Sequence, residues 1–297
     1  MTVLSGTWFV LPTPFDSDGR IDEASLRALV QSVREWGVDG VTALGVMGEV
    51  AALSDAERQL VLSAVLESAD GLPVAVGCSG AASSRVAGLI DDAAASGAAA
   101  VMVAAPPNSR NLDAVVAFFA DLPRHLPVIV QDEPAATGTL LPVSALVACA
   151  NGCSAAAIKL EDPPTPPKIA RLRQQLPDVP IFGGLGGGYA LGELRRGAAG
   201  TMTGFSFPEV LAAIRRAVEA GDLDGARRVF ERFLPLIHLE AQIGVGLAIR
   251  KEILVRRGAL RTAASRLAPR LDAVHLEEID EALHSCGVSD ATRRWEA

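Results

Sequence analysis

Lys159 is the residue of this 297-residue chain whose setting most invites chemistry. It lies in "AAAIKLED" (155–162), an apolar run where a buried strand ordinarily places valine or isoleucine. The chain has only three lysines, Lys159, Lys168 and Lys251, although arginine is plentiful. Alternate side chains of a strand share a face, so Ala157, Lys159 and Glu161 point one way and Ile158 and Leu160 the other. A buried ammonium loses hydration, which lowers its pKa by as much as roughly 3 to 5 units, whereas a neighbouring carboxylate raises it. A neutral lysine amine attacks a carbonyl carbon and forms an imine. The protonated imine then serves as an electron sink for C–C cleavage, C–C formation or dehydration, without a metal. The same two residues also fit a plain ion pair filling a protein interior, and the strand alone leaves both readings open. Lys168 and Lys251 have helical, polar neighbours and are expected in solvent.

The elements that must position this lysine repeat along the chain. Short apolar runs begin at Gly6, Gly40, Pro73, Ala100, Pro127, Ala155, Pro180 and Gly200. They alternate with helical patterns roughly 25 to 30 residues apart, as βα units do. "DEASLRALVQSVREWG" opens with Asp22 and Glu23, and "SDAERQLVLSAVLESADG" opens with Ser54 as N-cap and Glu57 as the partner of a capping box. Helices stop near Gly37, Gly71 and Gly97. Eight such units in about 220 residues predict an α/β fold of the (β/α)8 TIM-barrel class. The competing doubly wound sheet lacks its G-x-G-x-x-G fingerprint after the first strand. Ile158 and Leu160 then pack under the outer helices, Lys159 points into the barrel, and Glu161 stands nearer the C-terminal mouth, where active sites of such barrels lie. After Gly221 the strand pattern ends and three helical segments follow. The expected organisation is a barrel over 1–222 and a C-terminal helical extension over 223–297.

Composition narrows the function classes. The chain is 49% hydrophobic and 21% charged, enough for a large core, and its net charge of -8 argues against a nucleic-acid partner. No apolar run reaches the roughly 18 residues of a membrane span. "MTVLSGTWFVLPTPF" has no basic region followed by a long apolar core, so no signal peptide is expected. Cys78, Cys149, Cys153 and Cys286 have no metal-type spacing and read as reduced thiols of a cytoplasmic protein. The four histidines are scattered, so neither a metal nor another cofactor is expected.

Several stretches taken together resemble the dihydrodipicolinate synthase / N-acetylneuraminate lyase family of Schiff-base lyases. "LPTPFDSDGRID" (11–22) resembles its first strand and turn, and "ALGVMGEVAALSDAER" (43–58) its G-x-x-G-E-x-x-x-L-[ST] segment. "VQDEPAATG" (130–138) is similar to its Y-N-x-P-x-x-T-G motif, and "AIKLED" to the strand carrying its imine-forming lysine. The resemblance covers essentially the whole chain. It implies a barrel, a homotetramer or homodimer, and an imine between Lys159 and a small 2-oxo acid. It also implies that backbone N–H groups of Val46 and Met47 hold the acid's carboxylate, and that the Met202 backbone lies near the pyruvyl group. In the glycine-rich "GGLGGGYALGELRRG" (183–197), Gly184 and its neighbours are expected to leave room for a polyhydroxy chain.

The chain departs from this pattern where protons move. The motif tyrosine is Gln131, and the sole tyrosine of the chain is Tyr189. The next residue, usually asparagine, is Asp132; the synthase's distal arginine is Ala136; the paired threonines are Val46 and Met47. Gln131 transfers no proton but can hydrogen-bond a substrate hydroxyl or water. Glu161, Glu133 and Asp132 are carboxylates able to serve as acid or base, and Glu161 is preferred because it shares the Lys159 face. Arg110, in "PPNSR" (106–110), is the arginine proposed from sequence for a distal carboxylate. The Gln-Asp pair with "GTMTG" (200–204) is similar to relatives that dehydrate 2-keto-3-deoxy sugar acids. The expected function is therefore a 2-keto-3-deoxy sugar acid dehydratase or aldolase. A 4-hydroxy-tetrahydrodipicolinate synthase-like enzyme with an altered relay, or a silent 2-oxo-acid-binding relative, are the alternatives.

Overall fold

Eight short strands pair in parallel in chain order and close on themselves. They are β1 (Gly6–Val10), β2 (Gly40–Ala43), β3 (Val74–Gly77), β4 (Ala100–Ala104), β5 (Val128–Asp132), β6 (Ala157–Leu160), β7 (Ile181–Gly183) and β8 (Gly200–Thr203). All eight expected strands are present. The first is shorter than its apolar run, since Pro12 and Pro14 have no N–H to give the ladder. The computed structural model describes residues 4–292 and 294–296.

The barrel helices are α1 (Glu23–Glu35), α2 (Asp55–Ser68), α3 (Ser83–Ala95), α4 (Leu112–Ala120), α5 (Pro134–Thr137), α6 (Val143–Cys153), α7 (Thr165–Gln175), α8 (Ala190–Leu194) and α9 (Pro208–Glu219). Asp22 caps α1 by accepting from the Ser25 N–H, and Ser54 with Glu57 forms the expected capping box of α2. Gly37, Gly71 and Gly97 follow α1, α2 and α3 with φ of 80°, 85° and 88°, left-handed values that glycine adopts without steric cost. Beyond the barrel come α10 (Leu223–Glu240), α11 (Gly246–Arg256) and α12 (Ala273–Ser285). Among the described residues no helix is long and apolar enough to cross a membrane.

Three apolar cores follow from the strand alternation. Ile158, Leu160 and their outward-facing counterparts pack under the barrel helices. A second core joins α8 and α9 to α10, α11 and α12 through Phe205, Phe207, Phe233 and Ile253, so the extension is built onto the barrel wall. The third plugs the barrel interior with Trp8, Val10, Met102, Ile129, Phe182 and Met202. Trp8 and Phe182 meet edge to face with centroids 6.1 Å apart, and Ala75, Ala100 and Ala157 leave them room. A Cβ on Gly40 would stand 2.6 Å from the Trp8 indole, so this position must be glycine for the plug to fit. The plug closes the barrel from below and leaves a floor on which polar side chains can stand.

Candidate active site

β5 and β6 run side by side with Gln131 paired to Lys159 in register. Both side chains point inward by alternation, and both are buried. One layer higher, beyond the strand ends, stand Glu133 and Glu161. The Glu161 N–H donates to the Asp132 carbonyl at 2.8 Å, which extends the ladder by one step and keeps Glu161 on the Lys159 face. Two adjacent strands thus present four polar side chains in two layers.

These four form one connected network. Lys159 Nζ lies 3.0 Å from Glu161 Oε2. Gln131 Nε2 donates to that same oxygen at 2.8 Å and to Glu133 Oε2 at 2.7 Å. A single amide therefore bridges two carboxylates, a role the motif's tyrosine hydroxyl, with one proton to give, could not fill. Burial, reinforced by the nearby Glu161 charge, pushes the Glu133 carboxyl up to about 7 in spite of Lys159. Near neutral pH Glu133 is thus both a usable acid and a usable base.

A cavity of about 630 Å³ opens above this network at the C-terminal end of the strands. Lys159, Gln131, Glu161 and Glu133 line its inner part, as do Val46 and Met47 of the turn after β2. That turn is a single 3₁₀ turn whose own bonds run from Gly48 N–H to Gly45 O and from Glu49 N–H to Val46 O, each 3.0 Å. The N–H groups of Val46 and Met47 precede those donors and are not used by it. The outer wall comes from the glycine-rich loop, through Leu185, Gly186 and Tyr189, and from α10 and α11, through Leu234, His238 and Arg250.

The structure gathers Lys159, Gln131, Glu161, Glu133, Val46 and Met47 around this cavity, while Gly184, Met202, Asp132 and Arg110 are not among its lining residues. Gly184 stands behind Glu161, where a Cβ would come 2.4 Å from Glu161 Cγ, so the glycine makes room for the carboxylate. The Met202 side chain belongs to the plug beneath. Asp132, next to Gln131 in β5, turns outward by the same alternation and pairs with Lys168 Nζ at 2.5 Å. Arg110 is exposed and does not line the cavity.

Lys168 and Lys251 are both buried rather than solvated. Lys168 of α7 is held by Asp132, by Asp162 at 2.7 Å and by the Leu141 carbonyl at 2.7 Å. Lys251 of α11 pairs with Glu49 at 2.5 Å, with both side chains fully enclosed. Burial alone would raise the Glu49 carboxyl, but Lys251, Ser265 and the Leu267 N–H outweigh it and hold the group below its ordinary range. Their sequence neighbours are polar, yet their partners come from other elements, which local composition does not register. Arg250 and His238 were likewise unmarked. A trace of them exists in "LAIRKEILV", where Arg250 and Lys251 interrupt an apolar helix and, being adjacent, must face different surroundings.

A model of the dihydrodipicolinate synthetase family matches residues 4–274. The chain is 31% identical to an L-2-keto-3-deoxyarabonate dehydratase of Azospirillum brasilense, over 86% of this chain and 85% of that protein. It is 32% identical to a 4-hydroxy-tetrahydrodipicolinate synthase of Acidobacterium capsulatum, over 79% and 80%. The solved dihydrodipicolinate synthase of Rhodopseudomonas palustris superposes with a TM-score of 0.90 at 33% identity, covering 95% of this chain and 97% of that one.

Proposed function

The chain belongs to the dihydrodipicolinate synthetase family of lyases, and from that premise we propose that it forms an imine between Lys159 and a small 2-oxo acid and eliminates water from it. The reading rests on one observation above the others. Two carboxyl groups in unlike surroundings stand in the Lys159 network: Glu161, 3.0 Å from Nζ, and Glu133, held through Gln131 and lifted by burial to about 7. Carboxyls whose surroundings set them apart in this way form an acid–base pair. The similarity to a keto-deoxy sugar acid dehydratase supports the same choice.

In this mechanism the 2-oxo acid's carboxylate is held by the Val46 and Met47 N–H groups. Lys159 Nζ attacks C2, Glu161 relays protons between the nitrogen and the carbinolamine oxygen, and that oxygen leaves as water. The iminium acidifies C3. Glu161 removes a C3 proton, and the C–H electron pair moves into an enamine. The enamine expels the C4 hydroxyl, which takes the Glu133 proton and leaves as a second water. A water molecule then hydrolyses the unsaturated iminium, freeing the product and Lys159, and the proton taken by Glu161 returns to Glu133. Gln131 moves no proton; it sets the spacing of the two carboxyls by donating to both.

Borohydride trapping tests the imine. Pyruvate or a keto-deoxy sugar acid is expected to leave a reduced adduct on the Lys159 peptide, and Lys159→Ala to leave none. No adduct with any 2-oxo acid tried would sink the imine. Product analysis with keto-deoxy acids then separates the chemistries. Release of pyruvate in place of a dehydrated product would turn the reading from dehydratase to aldolase.

A further inference from the structure

Arg250 brings a guanidinium to the outer part of the cavity, from a helix that the barrel motifs do not include. Its Nε donates to Glu240 Oε2 at 3.2 Å, and Glu240 is itself fixed by the Ser206 N–H at 3.2 Å and the Ser206 hydroxyl. These contacts anchor the inner edge of the guanidinium. Its outer edge is left without a strong acceptor. Nη1 meets the Met47 thioether at 3.4 Å, and sulfur of this kind accepts only weakly. Nη2 has no hydrogen-bond acceptor among the described residues. A Cβ on Gly186 would lie 3.0 Å from Nη2, so the glycine keeps that edge open toward the cavity. Glu240 ion-pairs with Arg250 through Nε alone, which leaves both Nη groups for another acceptor.

A fork of two parallel N–H donors matches a carboxylate, which accepts from both, far better than a single hydroxyl. Resting on the imine reading above, we propose that Arg250 binds a carboxylate at the far end of the substrate. The enzyme then acts on a 2-oxo acid with a second carboxylate at its far end, in preference to one whose far end is uncharged. The cation lost at Ala136 and sought at Arg110 is supplied by α11.

Calorimetric binding of matched pairs, 2-oxoglutarate against 2-oxovalerate and 2-oxoadipate against 2-oxohexanoate, tests this on the intact protein. At least one dicarboxylate is expected to bind about tenfold to a hundredfold more tightly than its partner. Arg250→Gln should abolish that preference by weakening the dicarboxylate alone, and Arg250→Lys, which keeps the charge but loses the fork, should retain part of it. Lys159→Ala forms no imine and should keep the preference, so a missing pyruvate adduct with the preference intact counts against the imine reading only. Equal affinities within both pairs for the wild-type protein, or a preference that survives Arg250→Gln, overturns the role of Arg250. The wild-type comparison stands even if a variant fails to fold.

Discussion

Gln131 donates at once to Glu133 and Glu161 and so holds both carboxyls on one amide. Glu161 is tied to Lys159 as well, whereas Glu133 reaches the lysine only through the amide and lies where burial favours its protonated form. Glu133→Gln keeps the shape and removes the proton, so kcat should fall by about 10² to 10⁴. The wild-type rate should decline as pH rises through about 7, the pH at which this acid gives up its proton. Glu133→Gln should lack that limb and still be trapped by borohydride with pyruvate. Full activity in this variant would move the proton transfer to Glu161. Strand alternation was enough to place Glu161 on the Lys159 face, and the motif resemblance pointed to Gln131, which the β5–β6 register sets beside the lysine. Alternation did not single out Glu133, because Glu133 lies past the last residue of β5 and its importance comes from burial.

At the scale of elements, the turn after β2 is held from outside the barrel. Glu49 closes this turn with φ of 52°, an unusual value for a glutamate, and its carboxylate is bound by Lys251, by the Ser265 hydroxyl and by the Arg266 and Leu267 N–H groups. Thr13 adds a hydrogen bond to the Gly48 carbonyl at 2.6 Å. Helix α11 and the segment after it therefore set the position of Val46 and Met47. Lys251→Met would leave a buried carboxylate without its counter-charge, a loss of about 3–5 kcal/mol. Adding Glu49→Leu should recover only part of it, since it removes the uncompensated charge but leaves the Ser265 hydroxyl and the Arg266 and Leu267 N–H groups without their acceptor. Urea denaturation of the two variants and the wild type reads this directly. A cost below about 0.5 kcal/mol for Lys251→Met would mean a solvated lysine after all. The same helix carries Arg250 on a neighbouring face, so one element both braces the inner site and lines the outer one.

Across the whole molecule, three enclosed carboxyls share one property: the buried Glu193 and Glu240 and the half-buried Glu133 are each raised by desolvation from 4.5 to about 7. A carboxyl with a higher pKa in the folded chain than in the unfolded one binds its proton more tightly when folded. Between about 4.5 and 7 folding therefore takes up protons, and stability declines as pH rises through that window. The ion-paired groups behave oppositely. Glu57, bound by Arg266 and Ser54, is lowered to about 2, and its contribution is present above its unfolded value and lost as pH falls toward 2. The melting temperature should be a few degrees higher at about pH 6 than at about pH 8, and should fall again below about pH 4. A melting temperature that rises steadily from pH 6 to 8 would show that the three groups are ionised in the fold. What the sequence determined by itself was whatever has a local period or a local partner. The eight strands, the inward aim of Lys159 and the Ser54–Glu57 cap all follow from residues within a few positions of one another. Only the tertiary structure decided where the remaining charges go. Lys251 meets Glu49 across 202 residues and Arg250 meets Met47 across 203, and alternation along a strand or helix says nothing about contacts at that range. Closing the barrel and folding α11 against its mouth brings these charges together, and desolvation then makes Arg250, Lys251 and Glu133 matter.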